Sequence, residues 1–171
     1  PFLRYGLDHG LDLGDYVPML EDFLSDINTI VMSKKYQINY PRPWQYEMDE
    51  PYFIYDVVSA LRPSIDTPSY PSGHSTQSLV VAEILGNLFP GHEENFQDIA
   101  ERIGVNRVKA GWHFPMDHTA GQKLALEIID SLKSVRLFNV FLRHDITNTR
   151  KSVKLSNVFL CHHITNTWKS V

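Results

Sequence analysis

Apolar positions recur at helical spacing through most of the first 135 residues. Met19, Leu20, Phe23, Leu24, Ile27, Ile30 and Val31 line one face of a helix. The pattern predicts a start at Asp15 as N-cap and a run to about Lys35, ending before the prolines of Tyr40-Pro-Arg-Pro-Trp44. The residues ahead of it, with Gly6, Gly10 and Gly14, read as an irregular lead-in. Residues 41–71 are rich in proline and aromatics, and only Tyr52 to Leu61 looks helical there, so the stretch reads as a long connection. Ser72 then suits the N-cap of a helix with an apolar face of Leu79, Val80, Ala82, Ile84, Leu85 and Leu88. That helix stops at Asn87-Leu-Phe-Pro-Gly91, where proline and glycine coincide. Two more helices are predicted, from about Glu93 to Ala110 and from about Asp117 to Lys133. Before residue 135 no alternating strand pattern has comparable strength. The expectation is an all-α, single-domain helical bundle over 1–135.

The last part of the chain differs. Residues 136–153 and 154–171 are a tandem duplication of an eighteen-residue unit, too few copies for a solenoid. Its two Asn-Val-Phe-Leu segments are β-prone and could pair as a hairpin or add strands to another chain. The histidines His144, His162 and His163 invite a metal reading, but the duplication accounts for their recurrence and the ligand spacing is weak, so no metal site is expected.

Length and charge narrow the field. A chain of 171 residues holds one domain with a real core and hardly two. A net charge of −4 argues against nucleic acid as the main partner. The lone Cys161 allows no intrachain disulfide. The most apolar stretch, Ser78 to Pro90, is interrupted by Glu83 and Asn87 and is too short to span a bilayer, so the expectation is a soluble chain. It opens on Pro1 rather than methionine, as a trimmed chain or a fragment would.

Three patches carry chemistry: Lys35 with Arg42-Pro43; Pro71-Ser72-Gly73-His74; and Arg107 with His113 and Asp117. Lys35 supplies a point charge at a helix end, while Arg42 and Arg107 offer planar forks that match phosphoryl oxygens. Ser72 and Gly73 lie where a loop becomes a helix, so their amides can face an anion. Asp117, four residues after His113, can hold one ring nitrogen and leave the other as a nucleophile. His74 is suited to protonate a leaving alkoxide and then to activate water. Each feature alone has a plainer reading: solvated surface charges, a capped turn, an ordinary structural His–Asp pair, and core or loop packing for Tyr40, Trp44, Tyr46, Tyr52, Phe53 and Tyr55. Average residue frequencies produce all three patterns in this order on the order of once in ten million chains of this length, so the combination carries the reading.

Together these residues resemble the type 2 phosphatidic acid phosphatase superfamily. Lys35 and Arg42-Pro43 match its first motif, Pro71 to His74 its second, and Arg107, His113 and Asp117 its third. The resemblance covers about residues 20–134 and is strongest for the soluble branch of acid phosphatases and vanadium-dependent haloperoxidases. It implies a helical bundle and a metal-independent phosphomonoester hydrolase without a cofactor. His113 would be the nucleophile, Asp117 its partner and His74 the acid/base. Lys35, Arg42, Ser72, Gly73 and Arg107 would surround the phosphate. It further implies a small phosphomonoester substrate, with vanadate as inhibitor, and leans toward a periplasmic or secreted setting, leaving the cytoplasm and homo-oligomerisation open.

Three departures stand out. Asn106 replaces the serine before Arg107; Trp112 and Met116 replace smaller residues beside His113 and Asp117; and about twenty residues precede the first aligned helix, fewer than the family has. The last raises the expectation that part of the bundle is missing or comes from another subunit. Two other readings compete. One is a haloperoxidase using vanadate as prosthetic group, disfavoured by the short chain and the lack of a recognisable halide site. The other is an inactive phosphate-binding module that associates through its duplicated tail.

Overall fold

A computed structural model describes residues 1–45 and 67–134, and among them every regular element is helical. The elements are α1 (Phe2–Asp8), a 3-10 turn (Gly14–Tyr16), α2 (Val17–Ile38), a second 3-10 turn (Pro43–Gln45), α3 (Gly73–Leu88), α4 (Glu93–Lys109) and α5 (Pro115–Ser134). The all-α expectation holds. The helix expected at Tyr52 to Leu61, Tyr46, Phe53 and Tyr55, and the duplicated tail with its histidines and Cys161 lie outside the described residues.

Helix α3 is the hub, packed against α2, α4 and α5. It is apolar on nearly every face, as a helix surrounded by others must be. Val80, Ile84 and Leu85 of α3 are almost fully buried, with Ile27 and Val31 of α2, Phe96 of α4, and Leu124 and Ile128 of α5 around them. Each such side chain contributes about 1.5–3 kcal/mol through burial. Glycine permits the closest backbone approach: a Cβ on Gly121 would lie 2.5 Å from the Ser72 carbonyl oxygen, so α5 can pass the start of α3 only without a side chain there. No described helix is long and apolar enough to cross a membrane.

Three local expectations are corrected. The opening residues are not irregular. Phe2–Asp8 is helical because Phe2 and Tyr5 place their rings against Phe96, Tyr5 bonds His92 Nδ1 through its hydroxyl (2.8 Å), and Arg4 pairs with Asp8 one turn on. Asp15 is not the cap of α2: it sits inside the 3-10 turn, which leads directly into the helix, and Pro18 in the first turn needs no amide partner. The same helix continues past Lys35 to Ile38, where Asn39 adopts the left-handed conformation (φ 51°) and closes it by donating its backbone N–H to the Lys35 carbonyl.

Candidate active site

The site is assembled at the N-termini of α3 and α5 and the C-termini of α2 and α4. Ser72 is the N-cap of α3, as expected, and its hydroxyl accepts from the Ser75 amide (3.4 Å). The Ser72 amide, however, is not available to an anion. It donates to the main-chain oxygen of Asp117 (2.9 Å), which ties the start of α3 to the first turn of α5. The amides without an intrahelical acceptor at this end are those of Gly73 and His74.

His113 is delivered by the way α4 ends. The Trp112 amide bonds the Arg107 carbonyl (3.0 Å) and the Gly111 amide the Val108 carbonyl (2.9 Å), with Gly111 at φ 71°. This is a Schellman closure, which requires a left-handed residue at that position. It folds the Trp112 ring back onto the Arg107 guanidinium, 3.4 Å from its carbon to the ring centroid. Gly111→Ala is expected to cost about 1–2 kcal/mol, because alanine is strained at positive φ, and urea unfolding of the two chains would measure it.

Helix α5 then opens with Pro115, well suited to a first helical position, and Asp117 in its first turn. Asp117 is fully buried. One of its oxygens, Oδ2, accepts from the Phe114 amide (2.9 Å), the Ser69 hydroxyl and His113 Nδ1 (3.1 Å). A carboxylate only accepts, so the His113 proton is on Nδ1 and its lone pair on Nε2. That Nε2 lies 3.0 Å from Arg42 Nη1, which also donates to the Trp112 carbonyl (2.8 Å).

Segment 67–69 holds the cations. Lys35 Nζ donates to the carbonyls of Pro68 (2.7 Å) and Ser69 (2.9 Å). Arg42 Nε donates to the Thr67 carbonyl (2.9 Å) and Nη2 to the Thr67 hydroxyl (3.0 Å). Both side chains are 4% exposed, so these bonds replace lost water. Arg107 Nε, the Trp112 indole nitrogen and Asp117 Oδ1 are buried without a hydrogen-bond partner among the described residues.

Crowding sets the ionisation. Burial, then the Arg42 charge, lowers Lys35 to about 7 against the opposing pull of Asp117. Arg42 and Arg107 are each lowered to about 10, chiefly by burial. Burial likewise lowers His113 to about 4; its bond to Asp117 opposes this, and the charges of Arg42 and Lys35 add to it. His74 is exposed at the rim, yet desolvation by the surrounding protein and the charges of Arg107, Arg42 and Lys35 bring it to about 4 as well. Burial would raise Asp117, but the bonds from His113, Ser69 and Phe114 outweigh it and hold the carboxyl below its ordinary range.

The eight residues singled out from the sequence thus gather in one place, linked by hydrogen bonds, mutual electrostatic influence or chain adjacency. What spacing did not indicate is the bracing: Thr67, Ser69 and the Trp112 carbonyl. Main-chain acceptors have no residue signature, and only the position of Thr67-Pro68-Ser69 just ahead of the Pro71–His74 patch hinted at them.

Four of the five described helices converging to bring three cations and a carboxylate-held imidazole to one helix N-terminus are the arrangement expected of a helical oxyanion-binding protein. The sequence model of the PAP2 superfamily matches residues 23–129, more than half of the chain, and the chain belongs to that superfamily. An acid phosphatase of Zymomonas mobilis subsp. mobilis is 40% identical to it over 57 residues. Those residues make up 33% of this chain and 22% of that protein, so the chain matches less than a quarter of its relative's length.

Proposed function

We propose that the chain hydrolyses small phosphomonoesters through a phosphohistidine on His113, without a metal ion. The observation that carries this reading is the His113 ring itself, with Nδ1–H given to Asp117 and the Nε2 lone pair turned toward Arg42. In the first step Nε2 attacks phosphorus, the ester P–O bond breaks, and the departing oxygen takes a proton from His74. In the second, His74 takes a proton from water, the hydroxide attacks phosphorus, and the P–N bond breaks to release inorganic phosphate. Lys35, Arg42, Arg107, the Ser72 hydroxyl and the amides of Gly73 and His74 stabilise the charge that spreads over the phosphoryl oxygens. The arriving dianion favours the protonated form of His74, since it offsets the three cations that add to its desolvation. Membership of the PAP2 superfamily and the likeness to an acid phosphatase support the same chemistry.

The test is hydrolysis of an aryl phosphate in excess chelator, followed across pH. His113 must be unprotonated to attack, so kcat/KM should rise as pH climbs through about 4. His74 must carry a proton and Lys35 its charge, so kcat/KM should fall as pH climbs, from about 4 for His74 in the free protein and further through about 7 for Lys35. The result is a bell in the acid range, its two limbs belonging to the coupled cluster. Lys35→Arg, which keeps its charge to higher pH, should move the upper limb upward, and vanadate should inhibit. Loss of turnover on chelation, restored by a divalent ion, would overturn the metal-free reading.

A further inference from the structure

A second hydrogen-bonded chain reaches the same helix N-terminus from its far side. Glu101 of α4 accepts from His118 Nε2 (3.2 Å), His118 Nδ1 meets the Ser75 hydroxyl (2.8 Å), and the Ser75 and Ser72 hydroxyls meet at 2.9 Å. His118 and Ser75 are buried, whereas the Glu101 side chain is half exposed. It lines a cavity of about 230 Å³ together with Asp98, Gln97, His118 and Ser75. The fold makes room for the ring: a Cβ on Gly104 would lie 2.4 Å from His118 Nδ1 and 2.8 Å from Ser75 Oγ.

The arrangement has two proton states. Glu101 is a carboxylate, so Nε2 carries a hydrogen in both. When the ring is neutral, Nδ1 accepts the single Ser75 hydrogen, and the Ser75 oxygen is then free to accept the hydrogen of Ser72. When the ring is charged, Nδ1–H donates to Ser75, Ser75 donates to Ser72, and the Ser72 hydrogen is released. The charged groups facing His118 within the cavity are Glu101 and Asp98, both on α4; α3 brings Ser75 and Leu79, and α5 itself Gln122, none of them charged. Gln122 also donates to the second Glu101 oxygen and steadies it.

We propose that His118 is a positioning residue whose protonation, relayed through Ser75, frees the Ser72 hydroxyl to donate to the bound phosphate. This rests on the reading of Ser72 as part of the phosphate cradle. Acid then promotes binding from a site that never touches the ligand.

The experiment is calorimetric titration of inorganic phosphate into the chain at about pH 5 and about pH 8, with aryl phosphate turnover measured alongside. Two variants are compared with the parent, their folding checked by helical circular dichroism. Ser75→Ala leaves Ser72 no competing acceptor at either pH. Glu101→Gln offers an amide N–H to Nε2, so the neutral ring can carry its hydrogen on Nδ1. Both should bind phosphate up to about tenfold more tightly than the parent at pH 8 and equally at pH 5, the size expected for one hydrogen bond to a charged group. Structural damage would weaken binding at both pH values. Variant-to-parent ratios equal at the two pH values, or lower affinity at pH 8, would overturn the relay. If Ser75→Ala does not fold, Glu101→Gln, changed at a half-exposed position, decides alone. An active, phosphate-binding parent with flat ratios sinks the relay and leaves the functional reading standing; a parent that neither binds phosphate nor turns over sinks both.

Discussion

His113→Ala is expected to lower turnover of an aryl phosphate by about 10⁴-fold or more, because it removes the atom that accepts the phosphoryl group. The cradle should survive the change. Lys35 keeps its bonds to the Pro68 and Ser69 carbonyls, and Arg42 keeps Thr67 and the Trp112 carbonyl. Asp117 retains the Ser69 hydroxyl and the Phe114 amide. Phosphate should therefore still bind, and competitive inhibition measured in a weakly active or rescued variant would report it. The decisive measurement is rapid quenching of the parent during turnover. It should yield a phosphoryl adduct on the protein that is labile in acid and stable in alkali, as an N–P bond is, and absent from the variant. A parent that turns over rapidly but never forms the adduct, or an adduct that persists in His113→Ala, would assign the attack to another group.

Asp117→Asn is expected to cost about 10–100-fold in kcat through the loss of one negative charge, the size of a hydrogen bond to a charged group. Oδ2 of Asp117 accepts from three donors at once. Because the three donors meet at one oxygen, an amide oxygen in its place still accepts from Phe114, Ser69 and Nδ1–H, and what is lost is the negative charge. Nε2 keeps its lone pair but is a weaker nucleophile, and the positive charge that the ring gains on attack has no carboxylate beside it. Two further readouts separate this from a loss of folding. Removing a negative charge leaves the cradle more cationic, so phosphate should bind more tightly than in the parent. Asp117 also favours the charged form of Lys35, so without it the upper limb of residual activity should move to lower pH.

Much of this arrangement was legible in the sequence, for reasons that differ by element. Helices α3, α4 and α5 announce themselves through apolar spacing, a serine cap and a proline–glycine stop, all of which act within a few residues of chain. Helix α1 did not, because its apolar residues are stabilised by distant Phe96 and His92 rather than by local signals. Asp15 had the right chemistry for a cap but lies in a 3-10 turn that already points the chain along α2. Within the site, side chains with a chemical identity were readable from their spacing. The Ser72 amide was misread, since its acceptor is a main-chain oxygen some 45 positions away that no residue type reveals. The bracing by segment 67–69 is of the same kind.

The clasp between Arg42 and Thr67 has a consequence for how the site is held. The chain leaves at Arg42 and returns at Thr67, and the two ends are fastened to each other by the Arg42 bonds to Thr67 and by the Ser69 amide on the Tyr40 carbonyl (2.7 Å). The clasp thus fixes Arg42 beside the segment that leads into α3 through residues 40, 42, 67 and 69 alone.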